Sequence, residues 1–194
     1  MKHIVSKLHI PIGVGVIIII LVHMLMTYSV WNARALLIML SGGVTALAIL
    51  AMAASYLFRK KLKGNWIKLH RVIAVVILVG LVSHIITYYV DFCSYKKGVR
   101  KIEISNVDLS AIKDGDYEGE YDVGYIKAKV MVKVKEQRIV SIKILEHKTE
   151  RGKKAEKITE DIIEKQNVTV DTVSGATNSS LVIQKAVEAA LLKG

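Results

Sequence analysis

Four histidines in the first ninety residues form a repeated arrangement. Lys7-Leu8-His9 and Lys68-Leu69-His70 are the same tripeptide, and a second histidine follows fourteen residues on in each case, at His23 and His84. Both segments then reach Thr-Tyr, at Thr27-Tyr28 and Thr87-Tyr88. Fourteen helical residues rise about 21 Å and stop about 40° short of four turns, so each pair lies on one face near opposite ends of its rod. If the two rods run parallel, His9 is level with His70 and His23 with His84. A neutral imidazole offers one nitrogen lone pair, and an iron porphyrin takes one axial ligand on each face. Two haems, each held by two histidines, fit this layout. Gly13, Gly15 and Gly80 lie between the ligand positions, where missing side chains leave room for a flat ring, although small residues serve helix packing equally well. Taken singly, such histidines read as interfacial or as hydrogen-bonded across helices. The matched spacing, and the place of His23 and His84 deep in apolar runs, favour ligation. His3 has no partner at the right level, and His147 lies in another part of the chain.

A second constellation lies near the C-terminal end, Asp171-Thr172-Val173-Ser174-Gly175-Ala176-Thr177-Asn178-Ser179-Ser180. Ser174-Gly175-Ala176 is a small, flexible approach to a hydroxyl at Thr177, and a helix beginning near Ser179 would offer free backbone N–H groups to an anion bound there. The same residues read equally well as a helix start capped by Thr177, Asn178 or Ser179. No acid–base or nucleophilic catalytic set is evident. The single cysteine, Cys93, excludes a disulfide within one chain, a Cys-rich zinc site and a Cys-ligated iron–sulfur cluster, and reads as a small buried residue in preference to a crosslink between chains.

The elements that must carry these groups follow from hydropathy and charge. The chain has 194 residues, 52% of them hydrophobic, with a mean hydropathy of +0.38. The net charge of +11 is unevenly spread: residues 1–90 hold nine Lys and Arg and no Asp or Glu, which leaves the rest of the chain at only +2. The basicity therefore belongs to a membrane-facing half and not to a nucleic-acid surface. Apolar runs at Ile10–Trp31, Ala35–Phe58 and Val72–Val90 are each long enough to cross the bilayer core as a helix. With one span between them, the histidine-bearing helices run parallel. The first run is too long for a signal peptide and leads directly into the second span.

The Phe58–Arg71 connector carries six Lys and Arg, against Arg34 alone in the Trp31–Arg34 turn. The N-terminus and this connector are therefore expected on the cytoplasmic side, and the segment beyond the third span outside, although Lys96, Lys97, Arg100 and Lys101 pull the other way. Beyond Ser105, Ile126, Ala128, Val130, Val132 and Val134 alternate with polar or longer residues, and Val140, Ile142 and Ile144 resume the alternation after Glu136-Gln137-Arg138. This predicts a hairpin. Helical spacing follows over Ala155–Gln166 and Ser180–Leu192. The expected fold class is a membrane α-helical part with three transmembrane helices plus a small α+β domain, divided as 1–92, a linker at 93–104, and 105–194.

Residues 7–90 resemble the ferric-reductase-like transmembrane family, in which two histidines at this spacing on each of two parallel helices hold two b-type haems. The chain departs from that family in having three spans where about six are usual, so a second copy or a partner would shield the haem edges. The D-x-x-S-G-A-T run resembles the attachment motif of FMN-binding domains, such as those in the flavin subunits of sodium-pumping quinone reductase and Rnf-type complexes. Asp114–Gly119, the hairpin ending at Glu146-His147 and the Ala186–Leu191 helix agree with that family over residues 105–194. The resemblance implies that Thr177 is esterified to FMN phosphate by a flavin transferase using FAD outside the cytoplasm. Asp171, Ser174, Gly175 and Ala176 then form the recognition segment, and Asn178 is grouped with them as cofactor-binding. Many relatives read Glu-Thr-Pro-Gly where this chain has Thr149-Glu150-Arg151-Gly152, which leaves that loop without an implied role.

Together these features imply a transmembrane electron-transfer protein. Electrons would pass from a quinol or a cytoplasmic reductase through two b-type haems to covalent FMN, and on to an extracytoplasmic acceptor. The alternatives are a membrane-anchored flavin carrier of a larger respiratory or ion-pumping complex, without its own haem, and a flavin-binding sensor or assembly module with no electron throughput. Self-association is compatible with either, and no nucleic-acid partner is expected.

Overall fold

The structure, a computed structural model, describes the backbone of residues 2–194 and the side chains of residues 7–31 and 34–194. Two compact units divide at Asp91/Phe92. His3 and Lys2 lie outside the residues whose side chains are described.

The first unit is helical throughout. α1 (Lys2–Thr27) is a continuous, mostly apolar helix that accommodates Pro11, and it gives way to a 3₁₀ turn, Tyr28–Ala33. Arg34 and Ala35 are extended, which reverses the chain into α2 (Leu36–Leu57). A short α3 (Arg59–Leu62) ends at Lys63, whose φ of 48° puts it in the left-handed region, and α4 begins at Asn65. α1, α2 and α4 are each long and apolar enough to cross a membrane, with mean hydropathies of 2.5, 2.3 and 2.3 in their most apolar stretches. Their large aliphatic side chains, such as Leu25, Leu57 and Val79, are mostly exposed. Such surface is stable only against another apolar phase.

Two expectations change here. The third helix starts at Asn65 and runs to Arg100, well beyond the expected Val72–Val90, so the basic connector is largely helical and most of the expected 93–104 linker is helix. The reason is local. Residues 65–71 and 91–100 contain neither proline nor a strong breaker run, and Phe92 and Tyr95 find apolar partners in the second unit's core.

The second unit is an antiparallel sheet in the order β1-β2-β3, with β1 Gly115–Asp122, β2 Lys127–Lys135 and β3 Arg138–Lys148. The β2–β3 hairpin is as expected, but Arg138 is in the strand and not in the turn, and Val140, expected to face the core, is exposed while Ile139 is buried, after a register shift at Lys133/Val134. Its two loop residues, Glu136 and Gln137, have φ of 52° and 60°, the left-handed pair that matches the twist of the strands. β1 was not expected, because Gly115-Asp116-Tyr117-Glu118-Gly119-Glu120-Tyr121-Asp122 is acidic and almost without aliphatics. It is a strand because Tyr117, Gly119 and Tyr121 alternate toward the core, while its acids face lysines of β2. Lys129 pairs with Glu118 at 2.9 Å, and Lys127 lies between Glu146 at 3.1 Å and Glu120 at 3.3 Å. The hydrogen bonds that Lys127 donates to Glu146 and Glu120 hold its ammonium above the usual lysine range.

A 3₁₀ turn (Lys153–Lys157) leads into α5 (Ile158–Lys165), splitting the helix expected over 155–166, and α6 (Thr177–Leu191) closes the core. Val182, Ile183, Ala186, Val187, Ala190 and Leu191 of α6 pack on Ala128, Val130, Val132 and Val134 of β2, all buried. Gly119 lets the α6 backbone approach β1, since a Cβ there would meet the Ala186 carbonyl oxygen at 2.1 Å. The fold class is thus a three-helix membrane-type part plus a small α+β domain.

Candidate functional site

In the helical unit, α1 and α4 bring their histidines together level by level. The ring centroids of His9 and His70 are 5.8 Å apart with the planes at 64°, and those of His23 and His84 are 6.5 Å apart at 86°. A metal–imidazole bond of about 2 Å, with roughly 1 Å more from nitrogen to ring centre on each side, sets two rings sharing one metal about 6 Å apart. Both levels have that spacing. Among the described residues no three or more His, Cys, Asp or Glu gather as a metal site. Each level thus offers two nitrogens and nothing else, a donor set that suits iron whose equatorial ligands belong to a macrocycle. His70 adds a buried Nδ1 with no hydrogen-bond partner.

α2 contributes residues that the spacing argument did not single out. Ser41 Oγ lies 3.1 Å from His84 Nδ1 and 3.3 Å from Thr87 Oγ1. A Cβ on Gly42 would meet His84 Cε1 at 2.9 Å, so α2 lies directly against that ring. Gly80, expected to leave room for a ring, faces α2 instead: a Cβ there would meet Thr45 Oγ1 at 2.6 Å. Gly13 and Gly15 have open space where side chains would be. At the other level the Trp66 indole packs on His70, centroids 5.5 Å apart, and Tyr56 of α2 packs on Trp66 at 6.3 Å. A polar triplet, Ser41-Gly42-Gly43, inside an apolar run was the available signal.

In the second unit the Asp171–Ser180 run leads into the start of α6. Thr177 is the first residue of the helix and is exposed. The capping reading is corrected here, since the cap position is Ala176 and no side chain caps it. The polar side chains of the first turn are engaged elsewhere. Asn178 Nδ2 donates to Tyr95 Oη at 2.7 Å, Ser179 Oγ lies 3.1 Å from Thr149 Oγ1, and Ser180 Oγ accepts from the Val173 N–H at 3.0 Å. Among the described residues no side chain caps this first turn, whose N–H groups lie beside the Thr177 hydroxyl, where the helix end favours an anion.

Gly175 has φ of +70°, a conformation glycine adopts without penalty. Lys154 Nζ lies 2.8 Å from where a Gly175 Cβ would be, which brings a cation to the loop. Asp171 and Ser174 are exposed on the approach, and Ala176 is buried beneath it. The Thr149–Gly152 loop buttresses the helix start: Thr149 Oγ1 accepts from the Gly152 N–H at 3.0 Å, and a Gly152 Cβ would meet Ser179 Oγ at 1.9 Å. Tyr95 in turn stacks on Tyr125, centroids 4.8 Å apart and planes at 21°. Lys154 and Tyr95 escaped the motif because neither is near it in sequence.

No curated protein and no solved structure matches the chain. Residues 124–192, which include the whole attachment segment, match the family described as FMN-binding domain. Residues 124–192 are thus similar to FMN-binding domains, and three helices of membrane-spanning length and composition precede them, an arrangement that supports a flavin-carrying membrane protein.

Proposed function

We propose that the chain is a transmembrane electron-transfer protein with two b-type haems, at His9–His70 and His23–His84, and FMN esterified to Thr177 on the extracytoplasmic side. The observation that carries this reading is the ring spacing, 5.8 and 6.5 Å, at two levels fourteen residues apart on the same pair of helices. When bound, the haems supply one-electron chemistry and the flavin a junction between one- and two-electron carriers. The residues do the rest. The four imidazoles hold the groups one above the other, and the aliphatic faces of α1, α2 and α4 keep water and ions away. The absence of any carboxylate in residues 1–90 leaves no Asp or Glu relay to carry protons alongside.

At the second site the Thr177 oxygen accepts the FMN phosphoryl group from FAD, with AMP as leaving group, on a separate flavin transferase. The first-turn N–H groups of α6 and the Lys154 ammonium then face the phosphodiester charge. The donor is a quinol or a cytoplasmic reductase, and the acceptor is extracytoplasmic.

A reduced-minus-oxidised visible spectrum of the purified protein tests the haem half. Two bis-histidine haems are expected, with loss of one in His23→Ala and in His84→Ala. A spectrum without haem bands leaves a flavin carrier anchored by plain helices. In-gel flavin fluorescence that survives denaturation, disappears in Thr177→Ala and persists in the histidine variants tests the other half.

A further inference from the structure

We infer that the two histidine levels are chemically unequal, and that Ser41 is a positioning residue that gives the His23–His84 level the lower reduction potential. This rests on the haem reading above.

Ser41 Oγ has three neighbours able to take its one proton, the farthest being Thr87 Oγ1 at 3.3 Å. The Ile38 carbonyl, 3.0 Å away and three residues back on α2, can only accept; His84 Nδ1, at 3.1 Å, can do either. The proton goes to the carbonyl, and Ser41 turns a lone pair to His84. Thr87 Oγ1 does not disturb this, because its proton has two carbonyl acceptors on its own helix, Ser83 and His84, each at 2.9 Å. His84 therefore carries its hydrogen on Nδ1, donates it to Ser41, and keeps the Nε2 lone pair for a metal. Gly42 keeps the α2 backbone against the ring and blocks its rotation.

His70 is held differently. Its Nδ1 is buried without a partner, and its packing neighbour Trp66 has only a donor, Nε1, which is itself buried and unpartnered. Packing alone sets that ring. An N–H···O bond on the far nitrogen raises the basicity of the ligating nitrogen, and a more basic ligand favours ferric over ferrous iron. The hydrogen-bonded level is therefore the one harder to reduce.

The test is a potentiometric titration of the purified holoprotein, followed at the haem bands. Two waves are expected, and His23→Ala should abolish the lower. Ser41→Ala should move the lower wave upward and leave the upper wave and the haem content unchanged, while Ser41→Thr restores the position. Ser41→Cys, of similar size but a weaker acceptor, should shift the same wave by less, so the outcome does not hang on one variant. The inference is overturned if Ser41→Ala moves neither wave or both alike, or if His23→Ala removes the upper wave. A wild-type protein without haem overturns the underlying reading with it, and is told apart by that absence.

Discussion

A lysine distant from the attachment motif in sequence supplies the most direct test of how Thr177 is served. Lys154 places its ammonium against Gly175, two residues before the hydroxyl, and it is exposed, so little of the fold depends on it. Lys154→Glu would set a like charge beside an incoming phosphate. The expected outcome is a several-fold slower gain of gel-stable flavin fluorescence during co-expression with a flavin transferase. Unfolding free energy should stay within about 0.5 kcal/mol of wild type, as for surface substitutions generally. Equal rates of flavin attachment in the two proteins would remove Lys154 from the site. The motif itself was legible because it is contiguous, and so was the pairing of histidines, because helical geometry converts equal spacing into equal height. Lys154, Tyr95 and Ser41 were not, since each reaches its site through a tertiary contact. A serine inside an apolar helix has the same sequence signature whether it caps an imidazole or bonds its own backbone.

Helices with strong apolar periodicity and the β2–β3 hairpin could be read directly, whereas β1 could not. Strand propensity says little about a segment of glycine, acids and two tyrosines, and it pairs because β2 presents lysines opposite those acids. Its centre, Gly119, is also where α6 comes closest, and a methyl group there would run into the backbone at Ala186 and Ala190. Backbone cannot swing aside as a side-chain tip can. Gly119→Ala is thus expected to destabilise the flavin-binding unit by about 1–3 kcal/mol, the range for overpacking. Denaturant unfolding monitored by bound-flavin fluorescence should show the midpoint falling with an unchanged slope. Gly13→Ala on α1 is the contrasting case, since nothing lies within 4 Å of the added carbon. That variant should insert and purify as wild type does, and a helix interior gains slightly from the exchange. The ends of α4 were misjudged because hydropathy marks where a helix enters lipid and not where its hydrogen bonds stop.

At the scale of the whole chain, charge decides which side of the membrane each part occupies, and two clusters compete. Arg59, Lys60, Lys61, Lys63, Lys68 and Arg71 lie at and before the start of α4, while Lys96, Lys97, Arg100 and Lys101 lie at its end. Retention of Lys and Arg on the cytoplasmic side acts on both, but the first group is larger and is joined by Lys7 before the apolar part of α1. Under the proposed function the second unit is therefore carried across. Alkaline phosphatase fused after Gly194 should be active, and the same fusion within residues 59–64 inactive. Replacing Lys60, Lys61 and Lys63 by Gln should lower the first signal, whereas replacing Lys96 and Lys97 by Gln should raise or preserve it. Gel-stable flavin should fall and rise with that signal, because under the proposed function the transferase works only outside. Should phosphatase activity drop while flavin loading holds, the attachment does not depend on the extracytoplasmic side, and that placement of the second unit is overturned.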